Sequence, residues 1–205
     1  MFSHRSPYAP IEGTARAPRG LFVKRWGTLL VAPAAGLPGH PDELEYVAGA
    51  IDALYRAGRA GWKIYLIGNE EPVWKGEVSV DRWRSLQERI HADLHRAGVT
   101  VVRDYACIDH PDGVAGRQSD SVYLLPNTGP FFQASHFDGI ELAESWVIGD
   151  ATVDMTAAWR AGLRTAGVST GHGLADGAYD VETQLTGASL TAVIDDLLSL
   201  VAAAR

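Results

Sequence analysis

The chain has 205 residues, a length that suits one domain with a substantial core. Its 18 Lys and Arg residues against 25 Asp and Glu residues give a formal net charge of -7, and without a basic cluster this balance argues against nucleic-acid binding. A single cysteine, Cys107, excludes an internal disulfide framework and favours a reducing compartment, so we expect a cytoplasmic protein.

Residues 1–18 have the composition of a flexible arm. They contain several prolines and no continuous apolar stretch, which predicts neither a secretory signal nor a membrane span. The apolar run at 29–37 is interrupted by Pro33 and Gly36 and falls well short of the roughly 18 residues that a spanning helix needs. We therefore expect no membrane segment, and a single domain over residues 19–205.

Strand and helix patterns alternate through the first half of the chain. Short apolar runs at 20–26 and 62–69 predict two strands, and apolar residues at helical spacing predict a helix over 42–57 between them. Residues 78–98 predict a second helix that ends at a glycine, and residues 99–106 predict a third strand.

The same alternation returns after a long loop. Residues 107–128 are rich in Asp, Gly, Pro and Ser and have no clear period, which is typical of a loop at a functional edge. The elements predicted beyond it are a helix at 129–140, a strand at 145–150, a helix at 151–162, a strand at 163–170 and a helix at 189–204. This order implies an α/β fold, a Rossmann-like three-layer sandwich with a central parallel sheet.

Three of the predicted strands end in polar motifs, and in such sheets binding sites form beyond the carboxyl ends of the strands. With the segments CIDHP and GPFFQAS, the stretches FVKRWGTLL, WKIYLIGNEEPVWKG and SWVIGDATVDMTAAWRAGLRT resemble, in order and separation, the motifs of the haloacid dehalogenase-like (HAD) phosphatases. The likeness spans residues 20–172 and points to the branch of heptose-bisphosphate and histidinol-phosphate phosphatases. It implies a HAD-like domain with a minimal cap domain or none.

Four positions that the resemblance makes catalytic have other residues here. The family's nucleophilic aspartate corresponds to Lys24, and its general acid and base corresponds to Trp26. An ammonium cannot ligate Mg²⁺, and an indole N–H donates a hydrogen bond but cannot shuttle a proton. The hydroxyl residue that holds the phosphoryl group corresponds to Gly68, and the lysine that steadies it corresponds to Leu125.

Other parts of the pattern persist. The positions retained in whole or in part are Asn69, Lys75, Asp150 and Asp154. Lys75 keeps the charge of a substrate-contacting arginine but not its bidentate fork. The family's Gln-Ser becomes Glu70 and Glu71, and two carboxylates near a phosphate pocket would repel the ligand.

Some members of this branch carry a structural zinc site. Here Cys107 survives, but the histidine position is Asp109 and the paired cysteines correspond to Ser121 and Tyr123. One thiolate does not hold zinc, which takes four ligands. We therefore predict no zinc and interpret His110 as an ordinary loop residue.

The two retained aspartates need a partner if no metal is bound. We hypothesise that the Lys24 ammonium lies about where Mg²⁺ would, bonded to Asp150, with Asp154 as a second candidate partner. The alternative is that Lys24 points to solvent and the aspartates cap the helix that follows.

The chain also has a high tryptophan content. The tryptophans in strand or helix patterns, for which we expect core or packing roles, are Trp62, Trp83, Trp146 and Trp159. Trp26 and Trp74 lie in strand-end loops, where they could fill the cleft, the interpretation we favour, or offer a stacking surface to a ring-bearing ligand or a partner protein.

These patterns favour a HAD-like pseudophosphatase with no catalytic residues and no cofactor, which binds an unknown small ligand or protein partner. One alternative is an active hydrolase of sugar phosphates or related phosphomonoesters, for which Mg²⁺ would be expected. Another is a companion subunit of an active enzyme, and a homo-oligomer is left open. The positions predicted to form the altered cleft are Lys24, Trp26, Gly68, Asn69, Lys75, Leu125, Asp150 and Asp154.

Overall fold

The computed structural model describes residues 17–34 and 36–203 of the chain. Most of the predicted arm, residues 1–16, lies outside the described residues. The strands in the described part are β1 (Arg19–Lys24), β2 (Trp62–Asn69), β3 (Val101–Cys107), β4 (Trp146–Gly149), β5 (Arg164–Val168) and β6 (Leu185–Gly187). The α-helices there are α1 (Ala50–Arg59), α2 (Glu71–Trp74), α3 (Val80–Arg96), α4 (Gly129–Asp138), α5 (Thr152–Arg160) and α6 (Leu190–Ala203).

The strands form one parallel sheet in the order β3-β2-β1-β4-β5-β6. Strand β1 lies between β2 and β4, so its residues Leu21, Phe22 and Val23 are buried between the two helical layers. A strand covered on both faces is apolar throughout, as this one is. The predicted α/β fold with a central parallel sheet is confirmed.

Helices cover both faces of the sheet. One core cluster contains residues of α1, α3 and α6, among them Leu54, Ile90 and Ile194. A second cluster on the other face contains residues of α4 and α5, among them Phe131 and Met155. The described residues include no inserted domain of a size that could form a large cap, so the carboxyl ends of the strands are covered by loops.

The chain order reverses beside β1. The connections from β1 lead outward to β2 and β3, and the chain then returns to β4 on the opposite side of β1. The carboxyl ends of β1 and β4 therefore diverge into loops that leave a crevice, which is where ligands bind in sheets of this kind. Lys24 is the last residue of β1, and Asp150 directly follows β4.

The helix predicted over 42–57 is shorter than the pattern indicates. A single 3₁₀ turn at Pro41–Glu43 comes first, and α1 begins at Ala50, after Gly49 in a left-handed conformation with φ of 74°. Leu44 and Val47 pack against the core from the connecting segment instead of from a helix. Periodicity alone could not separate these two ways of burying the same residues.

Two short elements were not predicted. Helix α2 spans four residues and strand β6 spans three, which is too short for either to show a periodic pattern. The packing prediction for the tryptophans holds for Trp62, Trp83 and Trp146, which are buried, and is wrong for Trp159, which is 76% exposed. No helix among residues 17–34 and 36–203 combines the length and apolar character needed to cross a membrane.

Candidate active-site cleft

A cleft of about 610 Å³ opens at the carboxyl ends of β1, β2 and β4. The predicted residues that line it are Lys24, Trp26, Gly68, Asn69, Leu125, Asp150 and Asp154. The remaining one, Lys75, lies outside the lining and forms a surface ion pair with Glu71. Seven of the eight residues predicted to form the cleft therefore line it.

Lys24 contacts both retained aspartates. Its Nζ lies 3.0 Å from Oδ1 of Asp150 and 3.1 Å from Oδ2 of Asp154, and both carboxylates are almost fully buried. The contact follows from the sheet register, because Val23 pairs with Ile148 and the two strands end side by side. The predicted ion pair is therefore confirmed, with Asp154 as a full partner.

The alternative, in which Lys24 points to solvent and the aspartates only cap the next helix, is wrong, because Lys24 bonds both aspartates. Asp154 Oδ2 also accepts a hydrogen bond of 3.3 Å from the Ala151 N–H, at the start of α5. Asp150 instead accepts from the His172 N–H at 2.8 Å, and the Thr28 hydroxyl lies 3.5 Å from its other oxygen. Protein donors thus contact both oxygens of Asp150 without any added group.

Two glycines let the backbone close around Asp150. Gly27 and Gly171 have φ of 83° and 63°, and a Cβ atom at either position would lie 2.2 Å or 2.1 Å from Oδ2 of Asp150. Any side chain there would displace the carboxylate and be strained in this backbone conformation. The turn after β1 and the loop after β5 are therefore both built around one buried charge.

The pKa shifts reflect one cation shared by two acids. Burial opposes the charge on Lys24, but the Asp154 and Asp150 carboxylates hold the pKa of this lysine above its usual value. Burial raises the pKa of Asp154, and the charge of Asp150 adds to that rise despite the opposing effect of Lys24. A single ammonium cannot fully compensate two buried carboxylates.

A second buried network begins at the next residue. Arg25 is 1% exposed and forms ion pairs with Glu70 and Asp104 through its two terminal nitrogens. Gln87 and His91 on α3 also contact Asp104, at 3.0 Å and 2.9 Å. Burial alone would raise the Asp104 pKa, yet the Arg25 charge and the bonds from His91 and Gln87 lower this pKa to about 2. The sequence patterns did not indicate this network.

The contacts of Glu70 and Glu71 change the expectation that they repel a phosphate. Glu70 is fully buried, is paired with Arg25 and accepts a 2.9 Å hydrogen bond from Trp26 Nε1. Glu71 is half exposed and paired with Lys75. Both carboxylates have cationic partners, so their effect on an anion in the cleft is much reduced.

The remaining predicted residues hold the cleft wall in place. The Asn69 side chain accepts from the Leu125 N–H at 2.9 Å and donates to the Leu125 carbonyl at 2.8 Å. This pair ties the loop 108–128 to the end of β2. Leu125 itself is buried, so it offers packing where the resemblance implies a cation.

The aromatic residues of the cleft pack chiefly against protein groups. Trp74 stacks on His110 with ring centroids 4.2 Å apart and an interplanar angle of 17°. The partly buried Trp26 packs against two core clusters, in agreement with a filling role. His110 is therefore part of the cleft wall, beyond the ordinary loop role that we expected.

The loop after β5 supplies lining residues that the sequence did not single out. His172, Asp176 and Tyr179 line the cleft, and Asp176 accepts hydrogen bonds from the Thr152 N–H and hydroxyl at 2.9 Å and 2.8 Å. A possible signal was the glycine-rich, irregular composition of residues 169–179 beyond a strand end.

Cys107 does not belong to a metal-binding group among the described residues. It is buried, and its Sγ lies 3.2 Å from the Asp109 carbonyl oxygen. Within residues 17–34 and 36–203, no group of three or more His, Cys, Asp or Glu residues has an arrangement that could hold a metal ion. Burial raises the pKa of the Cys107 thiol, which makes it less reactive.

Comparisons with known proteins agree with this architecture. A family model described as HAD-hydrolase-like matches residues 125–200. The D-glycero-beta-D-manno-heptose-1,7-bisphosphate 7-phosphatase of Yersinia pestis is 30% identical over 146 residues, which are 71% of this chain and 77% of that protein. The D-glycero-alpha-D-manno-heptose-1,7-bisphosphate 7-phosphatase of Photorhabdus laumondii is 29% identical and covers 64% of this chain and 73% of its own.

Solved structures show the same fold. The D,D-heptose 1,7-bisphosphate phosphatase from B. bronchiseptica, crystallised with magnesium and phosphate, superposes with a TM-score of 0.76 at 24% identity, covering 89% of this chain and 99% of its own. A putative HAD-like phosphatase from Mesorhizobium loti superposes with a TM-score of 0.71 at 25% identity, covering 88% and 84%.

The parallel sheet and the cleft at its switch point define a HAD-like α/β domain without a large cap. The chain belongs to the HAD superfamily, in the branch of the heptose-1,7-bisphosphate 7-phosphatases. The resemblance expected from the motifs is therefore confirmed at the level of superfamily and branch.

The cleft residues do not fit a divalent cation at the position between β1 and β4. Mg²⁺ takes oxygen ligands in near-octahedral geometry. Here the Lys24 ammonium is in ion-pair contact with both Asp150 and Asp154, and Mg²⁺ would have to displace this ammonium to reach them.

Proposed function

We propose that this chain is a non-catalytic member of the phosphatase branch, which keeps the HAD-like fold to bind a small ligand or a partner protein. The observation that carries the proposal is the contact of the Lys24 Nζ with both Asp150 and Asp154. The ammonium bonds the two carboxylates that the family resemblance assigns to a metal, so a side chain of the protein occupies the position between them.

The chemistry of the neighbouring groups supports this proposal. A phosphoryl transfer through a covalent intermediate needs an unprotonated nucleophile, whereas the raised pKa keeps the Lys24 amine protonated. The position that the resemblance assigns to the general acid and base is Trp26, whose indole N–H donates to Glu70 but neither loses nor gains a proton at neutral pH. The carboxylates that contact these two residues stabilise the ammonium and accept from the indole, but a carboxylate is too weak a base to deprotonate either group.

A second candidate function is an active phosphomonoester phosphatase with altered site chemistry. Family membership favours it, because the similar proteins described above are named as phosphatases. Asn69, Asp150 and Asp154 also remain in an open cleft of about 610 Å³. In this alternative Mg²⁺ would be expected, and Lys24 would have to leave the two aspartates.

The test is a phosphatase assay with an aryl phosphate and with sugar bisphosphates, with and without Mg²⁺. We expect no metal-dependent turnover, and the same background rate for the wild type and for Asp150→Asn. Turnover that requires Mg²⁺ and disappears in Asp150→Asn would refute the non-catalytic proposal and establish the second candidate.

A companion measurement follows Mg²⁺ binding by thermal unfolding. Added Mg²⁺ should leave the melting temperature of the wild type unchanged, because the ammonium already lies between the two carboxylates and would have to be displaced. The double substitution Lys24→Asp with Trp26→Asp should create a Mg²⁺-dependent rise, since carboxylates are suitable ligands. Lys75→Asp, which places a carboxylate outside the cleft, is the matched control and should show no such rise.

A further inference from the structure

An exposed tryptophan, Trp159, lies beside a groove on the surface of the molecule. Trp159, in the last turn of α5, is 76% exposed. It lines a groove of about 500 Å³ between α5 and the segment that leads into β6, with Tyr179 on the opposite side. A large exposed apolar side chain beside a concave surface marks an interaction site more often than a chance exposure.

Charged residues of both signs flank this groove. Arg160 stands next to Trp159, and Asp180 and Glu182 come from the facing segment. Within the described part of the chain, none of these three has an ion-pair partner, although Arg160 Nη1 donates a long 3.4 Å hydrogen bond to the Pro126 carbonyl. We refer to Trp159, Arg160, Tyr179, Asp180 and Glu182 as the Trp159 face.

We propose that the Trp159 face is the contact surface of a two-fold homodimer. In a two-fold dimer the same patch meets itself, so it must contain both a protruding group and a recess, and both signs of charge. The Trp159 face has these features, with an indole beside a groove and an arginine opposite two carboxylates. Trp, Tyr and Arg are also the residue types that contribute most to binding free energy at protein interfaces.

Charge complementarity favours a second copy over a partner of one predominant sign. An acidic partner would pair with Arg160 and be repelled by Asp180 and Glu182, and a basic partner would meet the reverse. A second copy related by two-fold symmetry brings Arg160 to the carboxylates and the carboxylates to Arg160, twice in one interface. This pairing uses every charge of the face.

The dimer would also contact the rim of the cleft. Tyr179 lines both the groove and the cleft, and its N–H donates to the Thr152 hydroxyl at 3.0 Å. Thr152 in turn bonds Asp176. The proposed interface is independent of whether the cleft catalyses a reaction, since neither Trp159 nor Arg160 lines the cleft.

Sedimentation velocity of the full chain over a concentration series tests the proposal. The wild type should be a dimer, and Trp159→Ala should raise the dimer dissociation constant by at least about 30-fold, the effect of one interface hot spot. Because Trp159 is exposed, the variant should keep the wild-type melting temperature at low protein concentration. Phe137→Ala, which removes another exposed aromatic outside this face, is the control and should not change the dissociation constant.

A charge-swap experiment identifies the pairing. Arg160→Glu alone and the double variant Asp180→Lys with Glu182→Lys should each be monomeric, because their homodimers would oppose like charges. Mixed together they should form a heterodimer, since every contact then joins opposite charges. A monomeric wild type, or variants that fail to associate when mixed while Trp159→Ala remains dimeric, would overturn the proposal.

Discussion

Two consecutive residues, Lys24 and Arg25, each compensate buried carboxylates, on opposite faces of the sheet. Each is a cation bonded to two buried carboxylates, Lys24 with the acids beside α5 and Arg25 with Glu70 and Asp104. Lys24 ends β1 and bonds acids beside α5, whereas Arg25 follows the strand and bonds Asp104 beside α3, so the two cations lie against different helical layers. Each set therefore holds one positive charge for two negative ones.

The two networks differ in their access to water. The charged side chains of Arg25, Glu70 and Asp104 are 1%, 0% and 7% exposed, whereas Lys24 is 15% exposed at the floor of the cleft. The forked guanidinium of Arg25 can also donate directed hydrogen bonds to two carboxylates at once, whereas a lysine ammonium acts as a point charge. The Arg25 network is therefore a structural tie in the interior, whereas the Lys24 network lines the open cleft.

The largest effect is expected from removing Arg25. Arg25→Met should lower the free energy of unfolding by about 4 kcal/mol, because two buried carboxylates lose their cation. The measurement is urea unfolding at neutral pH. The control is Arg84→Met, since Arg84 is mostly exposed and lies 3.6 Å from Asp81, a pair worth at most about 1 kcal/mol. A loss no larger than in this control would show that the Arg25 network is not a structural tie.

Removing Lys24 should have a smaller effect of the same sign. Lys24→Met should cost about 3 kcal/mol, the lower end of the range for a broken buried pair, because water in the cleft can partly solvate the stranded carboxylates. Lys75→Met is the matched control, since that lysine forms an exposed ion pair with Glu71. Combining Lys24→Met with Asp154→Asn should recover part of the loss, because one stranded charge is then removed.

Two outcomes would contradict this ranking. A loss equal to that of Lys75→Met would mean that Lys24 does not hold the aspartates in solution. A loss as large as that of Arg25→Met would mean that the cleft excludes water as fully as the interior does, which would remove the distinction between the two networks.

The sequence predicted the Lys24 network and not the Arg25 network for a physical reason. Lys24, Asp150 and Asp154 lie at the carboxyl ends of strands, where sheet topology and the family motifs both indicate a meeting point. Arg25 meets Asp104 near the middle of β3, within the segment predicted as the third strand. Nothing in the spacing of these residues predicts that they touch, because the contact depends on the register of β2 against β3.

The same limit explains why the sequence pattern did not predict the exposure of Trp159. Its place in a helical pattern predicts burial, but the orientation of α5 is set by Met155, Ala157 and Ala158, which pack on the sheet. Because these residues face the sheet, Trp159 faces solvent. Helix packing angles are tertiary properties that a local pattern does not contain. The fold class was therefore predictable, whereas the proposed interaction surface was not.

The pH dependence of stability should separate the two networks further, with an effect of about 2 kcal/mol. Asp104 has a folded-state pKa of about 2 against an ordinary value of 3.8, so its contribution to stability is complete above pH 3.8 and is lost as the pH falls toward 2. For Asp154 the sign is opposite. Because its folded-state pKa is raised, the folded state retains a proton that the unfolded chain loses, and this contribution falls as the pH rises through the ordinary value.

The measurement compares urea unfolding of the wild type, Asp104→Asn and Asp154→Asn across the acid range. The difference between the wild type and Asp104→Asn should shrink by about 2 kcal/mol as the pH falls from about 4 to about 2. The difference between the wild type and Asp154→Asn should change in the opposite direction, at pH values above the ordinary carboxyl range. Parallel pH profiles for all three proteins would mean that Arg25 does not lower the Asp104 pKa and that Lys24 fully offsets the effect of burial on the Asp154 pKa, because each slope reports the proton that one network gains or gives up on folding.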